Sequence, residues 1–360
     1  MAFQCRIVNN HNAYRQKKKY ILVGVVAFSV LLTSLSFYFY QAFFSPNILI
    51  YSEEPAVLNI PKGSTFSQVR DKLLDQDIIN EVVTFSFVAK VMNYTDGGVK
   101  PGHYIIQPNL TNRQLVVLLR SGRQTPVNIT FNNIRLKEEL AEKITNNLEM
   151  DKESFLALIE DDSLIAKYGF DSQTIMAMFI PNTYEVYWTL SPPELFERMY
   201  KEYERYWTDE RLAKAKAIQM TPLEVATLAS IVQSETNKAD ERPIVAGVYI
   251  NRLERGIPLQ ADPTLLFALK DFTIKRVLNI HKEVESPYNT YKYAGLPPGP
   301  ITLPEISSLN AVLNYQTHNY LYFCAKEDFS GYHSFATNLR AHMVNARRYQ
   351  NALNAAKIFK

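Results

Sequence analysis

The chain has only two cysteines in 360 residues, too few for a disulfide framework. Cys5 and Cys324 also lie on opposite sides of a long apolar run, so a membrane across that run would keep them from pairing. Histidine is sparse too, six in all, and His281, His318, His333 and His342 are scattered, with no Cys/His cluster at zinc spacing. No metal and no cofactor is therefore expected. No long low-complexity segment interrupts the chain. A basic surplus is missing as well, although the net charge is +3. Arg6, Arg15, Lys17, Lys18 and Lys19 all precede the apolar run. Setting those five aside leaves 34 basic against 36 acidic residues, a balance of −2. The folded part is not a basic surface for nucleic acid, and nucleic-acid partners are excluded.

The apolar run is YILVGVVAFSVLLTSLSFYFYQAFF, Tyr20 to Phe44, without one charge. It is long enough to cross a hydrocarbon core of ~30 Å at ~1.5 Å per residue. A cleaved signal peptide has a shorter apolar region and a small-residue cleavage site. This run ends instead in aromatics (Phe37 to Tyr40, Phe43, Phe44), as interfacial belts do. The basic flank is N-terminal, so residues 1–19 are expected in the cytoplasm and residues 20–44 across the cytoplasmic membrane. Everything after about Ser45 is then extracytoplasmic.

Past the anchor the pattern is α+β. VLNI (57–60) predicts a strand and STFSQVRDKLLDQ a helix, with a capping box at Thr65 and Gln68. GHYII (102–106) predicts a second strand. TNRQLVVLLRSG has the same box at Thr111 and Gln114 and a stop at Gly122. Residues 45–125 resemble the LysM-like subdomains that precede catalytic domains in cell-wall enzymes; the alternative is a generic α+β stalk. VNITF (127–131) and the amphipathic RLKEELAEKITNNL make a connecting α+β segment, 126–170. From about Asp171 the chain turns mainly helical, with starts at Ser191-Pro-Pro-Glu194 and Thr221-Pro-Leu-Glu224. YLYF (320–323) and YHSFA (332–336) predict a hairpin before a last helix over about 339–357.

One acid stands out in IVQSETNKADE (231–241). With the helix starting at Thr221 and advancing ~100° per residue, Glu235 shares a face with Leu228, Ile231 and Val232, while Gln233 points away. A carboxyl on a buried stripe loses hydration and its pKa rises, which suits a general acid near neutral pH. The plainer reading is a solvated group at a helix C-terminus. Asp240 and Glu241 precede Pro243, where acids suit the start of a new helix.

Three segments, ASIVQSETNKADERPIVAGVYINRLERGIPLQADPT, YNTYKYAGLPPGPITLPEISSLNAVLN and YLYFCAKEDFSGYHSFATNLRAH, closely resemble the endolytic murein transglycosylases, the MltG or YceG-like family. FIPNTYEVYW (179–188) resembles that family's Pro-[Asp/Asn]-Thr-Tyr segment. The resemblance runs from about Asp171 to the C-terminus, which marks 171–360 as the catalytic domain. It implies a lyase that cuts the MurNAc–GlcNAc bond of peptidoglycan strands near the membrane, with penicillin-binding synthases as neighbours. The family segment is commonly Ile-Val-Glu-x-Glu-Thr/Ala. Gln233 departs from it, so the catalytic role carries over to Glu235.

The resemblance also implies substrate contacts at Asn251, Arg252, Gln260, Asp262 and Thr264. Amides suit sugar hydroxyls and N-acetyl groups. Asp262 is equally readable as a helix cap, and Arg252 as an ion-pair partner. Tyr288, Asn289, Thr290 and Tyr291 precede a rigid Pro-Pro-Gly-Pro turn and offer aromatic faces for sugar rings, or form an ordered loop. His333, Ser334 and Asn338 line the groove or serve the hairpin. Apart from the capping Glu224, no obvious second acid stands on the Glu235 helix. A standard glycosidase needs two carboxylates, whereas a lytic enzyme borrows its nucleophile from the substrate. A hydrolytic muramidase and a non-catalytic wall-binding protein are the alternatives.

Overall fold

Several helices begin where a hydroxyl residue precedes Gln or Glu by three positions. The third-position side chain reaches back to the cap's own N–H at Thr65 (2.8 Å), Thr111 (2.9 Å), Ser191 (2.8 Å) and Thr221 (2.8 Å). Each such contact satisfies a donor that the helix itself leaves orphaned. The structure is a computed structural model that describes residues 2–48, 54–274 and 276–357, with side chains from residue 14 onward. It is helix-rich α+β and divides into two units, residues 1–126 with 187–189, and residues 127–186 with 190–360.

The first unit runs α1 (Ala2–Phe44), β1 (Ala56–Ile60), α2 (Phe66–Asp75), α3 (Val82–Val91), β2 (Gly102–Ile106) and α4 (Asn112–Ser121). The two strands pair antiparallel, with Ala56 opposite Ile106 and Ile60 opposite Gly102. Leu58, Ile60, Tyr104 and Ile106 face a core closed by Val69, Leu73, Phe85, Val88, Leu115 and Leu119. α4 ends at Gly122 in the left-handed region (φ 69°), which glycine enters without a Cβ penalty. Within α1, Tyr14–Phe44 is long and apolar enough to cross a membrane. Its last turn does something else: Ala42 and Phe43 are buried in the core of this unit. The Asn112 amide donates to the Ala42 carbonyl (3.0 Å), taking up one of the helix's last acceptors.

The second unit runs β3 (Val127–Thr130), α5 (Lys137–Thr145), α6 (Lys152–Ile159), α7 (Asp162–Ile165), β4 (Thr183–Val186), α8 (Pro192–Tyr206), α9 (Asp209–Ala217), α10 (Pro222–Glu235), α11 (Arg242–Glu254), α12 (Asp262–Leu269), α13 (Ile306–Leu313), β5 (Tyr322–Ala325), β6 (His333–Ala336) and α14 (Leu339–Ala355). The Pro-Asn-Thr-Tyr segment supplies β4, which pairs antiparallel with β3. The expected hairpin is β5–β6, with its first strand two residues later than the pattern YLYF suggested. One core gathers β3, α5, α6, β4 and α8 around Phe131, Phe155, Phe179 and Phe196. Another surrounds α10 and α11.

α10 departs from the single buried stripe read from its sequence. Val225 through Val232 are all buried, eight positions in succession. A helix buried on every side sits inside its domain rather than on it. Its end carries half-buried Gln233 and Glu235 on either side of exposed Ser234.

Candidate active site

Glu235 is the last residue of α10, and Thr236 behind it is extended (φ −142°). The turn that follows is pinned. Buried Glu241 takes the N–H of His333 at 2.7 Å and the Nδ1 of the same residue at 2.8 Å, and the Thr236 hydroxyl donates to it at 3.3 Å. Glu241 is the N-cap residue of α11, but its side chain makes no cap hydrogen bond and instead ties the Glu235 turn to the hairpin. From the middle of α11, Tyr249, 1% exposed, donates its hydroxyl to Glu235 Oε1 at 2.8 Å. Phe323 of β5 stands edge-on to the Tyr249 ring, centroids 5.9 Å apart.

Burial raises the Glu235 carboxyl from its ordinary 4.5 to about 7. The Tyr249 hydrogen bond and the charge of Arg252 favour the ionised form, and the charge of Asp262 opposes it; dehydration outweighs them. Burial likewise lifts the Tyr249 phenol far above its usual range, so Tyr249 remains a donor.

The opposite wall is the start of α12 joined to the tyrosine loop. Gln260 adopts φ 50°, and its N–H donates to the Thr290 carbonyl (2.9 Å). The next N–H, of Ala261, donates to the Thr290 hydroxyl (3.0 Å), which also meets Thr264 Oγ1 at 2.9 Å. Asn289, fully buried, donates to the carbonyls of Lys282 and Val284 and accepts from the N–H of Tyr291. These contacts aim Tyr291, whose hydroxyl donates to Asp262 Oδ1 at 2.5 Å. Arg252 is buried, and its guanidinium donates to the carbonyls of Leu321 (2.7 Å), Leu259 (2.8 Å) and Pro258 (3.2 Å). It joins the two walls and lies 5.2 Å from the Tyr322 ring centroid.

The walls enclose a pocket of about 320 Å³. Of the residues expected from sequence, Glu235, Arg252, Gln260, Asp262 and Tyr291 line it. Asn251 does not: its amide donates to the carbonyls of His318 and Tyr320 and fixes the chain entering β5. Thr264, Asn289 and Thr290 brace the wall from behind, and Tyr288 packs on Phe267 at 4.7 Å. His333 serves the Glu241 clamp, and Asn338 caps α14 through the N–H of Ala341 (2.9 Å). Sequence reasoning missed Tyr249, Tyr322, Phe323 and His342, which also line the pocket. One signal was present for Tyr249: a hydroxyl in the middle of an apolar helix has to find a partner. His342, stacked on Tyr322 at 5.3 Å, has its pKa lowered by burial and then by Arg252.

Gln233 is engaged on the other side of the helix end. Its Oε1 accepts from the N–H of Glu305 (2.6 Å) and the hydroxyl of Ser308 (3.1 Å), and its Nε2 donates to the Leu303 carbonyl (3.2 Å). The residue that sequence reading turned away from the core is the anchor of the segment leading into α13. An amide makes both kinds of contact, which a carboxylate cannot.

A dehydrated carboxyl that holds its proton to about pH 7, facing a second carboxylate and aromatic rings, is the equipment of a general acid–base site. The sequence profile of the YceG-like family matches residues 58–348. The chain belongs to that family. It is 26% identical to the endolytic murein transglycosylase of Streptococcus pneumoniae (strain D39), over 93% of this chain and 66% of that protein. The endolytic murein transglycosylase of Bacillus subtilis (strain 168) is 28% identical, over 82% of this chain and 85% of that protein. The chain thus spans just under two thirds of the pneumococcal relative. The crystal structure of a putative YceG-like protein of Listeria monocytogenes superposes with a TM-score of 0.54 at 28% identity, covering 81% of this chain and 99% of that one.

Proposed function

We propose that this chain is an endolytic murein transglycosylase that uses Glu235 as its single proton-transfer group. The observation that carries the reading is the environment of that carboxyl: at a pocket, held by Tyr249 and protonated up to about pH 7. In the first half of the reaction Glu235 gives its proton to the oxygen linking MurNAc to GlcNAc. The carboxylate left behind takes the proton of the MurNAc C6 hydroxyl as that oxygen closes on C1. The product is a 1,6-anhydro end, and no water is consumed. Tyr249 donates to the carboxylate that forms after the first transfer, which lowers the energy of the state halfway through. Asp262, Gln260 and Tyr291 offer acceptor, amide and aromatic contacts to sugar rings.

One observation favours a second reading. Asp262 brings a second carboxylate into the same pocket, and two carboxylates flanking a glycosidic bond also serve hydrolysis, with water as nucleophile. Digestion of purified sacculi distinguishes the two, because a lytic product is lighter than a hydrolytic one by one water. Wild-type protein is expected to yield anhydro ends, and Glu235→Gln none. Reducing ends would decide for hydrolysis, and cleavage surviving in Glu235→Gln would remove both readings.

The remaining assignments follow the same proposal. α1 holds the chain in the cytoplasmic membrane as a single-pass anchor with the N-terminus inside. Residues 45–125 are a LysM-like subdomain, 126–170 connect, and 171–360 form the catalytic domain. Its placement beside the membrane brings it to nascent strands and to penicillin-binding synthases, where each cut terminates a strand.

A further inference from the structure

Back to back with the Glu235 pocket lies a second cleft, of about 420 Å³. The two share a ridge of neighbouring residues: Ser234 lines the second cleft and Glu235 the first, Pro263 the second and Asp262 the first. Adjacent Cα atoms are ~3.8 Å apart, so one residue separates the two spaces at each of these points.

Its chemistry differs from that of the first pocket. Arg135, exposed, lies with its guanidinium over the Phe272 ring (4.6 Å to the centroid) and has no ion-pair partner among the described residues. The nearby Glu139 carboxylate is engaged by the N–H groups of Arg135 and Leu136 at the start of α5. Arg242, 8% exposed, is fixed by Glu305 (2.9 Å) and the Ser307 hydroxyl (2.6 Å), while its buried Nε finds no partner. Glu305 is the only acid among the described lining residues, and Arg242 already meets it. What remains is a positive excess at Arg135, with the Asn237 amide alongside.

We propose that this cleft receives the carboxylate-bearing peptide branch of a glycan whose sugar backbone lies in the Glu235 pocket. The inference rests on the proposed function and gives its substrate class a second element: a peptide-substituted strand instead of a bare one. A guanidinium pairs with a carboxylate in a planar, two-bonded fork, and the Phe272 face keeps Arg135 oriented for it. Asn237 offers the donor and acceptor that a peptide bond needs. A sugar ring astride the ridge, its acyl substituent directed over Pro263, would occupy both spaces at once.

Binding to the Glu235→Gln protein tests this without any cleavage. Titration calorimetry would compare soluble glycan oligomers carrying their peptides with the same oligomers stripped of peptide. The peptide-bearing ligand is expected to bind about tenfold more tightly. Adding Arg135→Gln, a change at an exposed site, should erase that advantage and leave the stripped oligomer's affinity unchanged, while Arg135→Lys retains part of it. Equal affinity of the two oligomers before the Arg135 change, or equal weakening of both by Arg135→Gln, overturns the proposal. Failure of the glycan-cutting reading would appear elsewhere, as uncut sacculi with wild-type protein.

Discussion

A carboxylic acid at the tip of a buried helix is governed chiefly by two opposing influences, lost hydration and one phenol. In Tyr249→Phe the hydrogen bond that favours the ionised Glu235 disappears, so the carboxyl pKa rises above about 7. Activity that needs the protonated acid should then persist to higher pH, and a pH–rate profile would show its descending limb displaced to the alkaline side. An unmoved limb would mean that another group sets it. Stability carries the same information. Glu235 binds its proton more tightly when folded (about 7) than when unfolded (near 4.5). The folded state therefore holds more protons between those values, and stability falls as pH rises through that window. Above it, the charged form costs about 3 kcal/mol. Denaturant titration at pH 8 should find Glu235→Gln more stable than wild type by up to about that amount, with the gap closing near pH 4. At this scale the sequence was informative about Glu235, whose spacing and neighbours single it out. It was silent about Tyr322, Phe323 and His342, because β5 and α14 reach the pocket only through the tertiary fold.

Among the elements, α10 shows why periodicity alone misjudges a central helix. Apolar residues on one face predict one buried face, but small Ala226, Ala229 and Ser230 let neighbours approach from the other sides, and the whole turn is covered. Ser230 illustrates the arrangement, donating to the Thr227 carbonyl (2.7 Å) and accepting from the N–H of Ile301 (3.0 Å). Caps were legible because their signal spans three residues. The β3–β4 pairing was not, because two four-residue strands more than fifty positions apart carry no local register. Two changes probe these joints. Gln233→Ala leaves the Glu305 N–H and the Leu303 carbonyl without their side-chain partner and should cost about 1–3 kcal/mol, read as a lowered denaturation midpoint. Gly299→Ala is sharper in cause: a Cβ there would overlap the Gln173 carbonyl oxygen. The loop has to shift, at about 1–3 kcal/mol, and thermal melting should register the loss.

For the molecule as a whole, the apolar run was the plainest feature of the sequence, and α1 carries it. The sequence did not announce that α1 has a second employment. Its final turn belongs to the first unit's core, where Phe43 meets Phe87 edge-on at 6.2 Å and stacks on Phe39 at 4.4 Å. Two shortened chains separate the two uses. One beginning at Ser36 and one beginning at Ser45 should both leave the membrane fraction on cell fractionation. Only the second loses Phe39, Ala42 and Phe43, and its first unit should melt earlier, by about 3–5 kcal/mol for the loss of a core phenylalanine. Equal melting would mean that the aromatic contacts are dispensable. The join has a mechanical consequence. Under the anchoring proposed above, a helix seated in lipid at one end and in folded protein at the other behaves as an axle, not a leash, so tilting or turning the lipid-embedded half reorients the β1–β2 sheet with it.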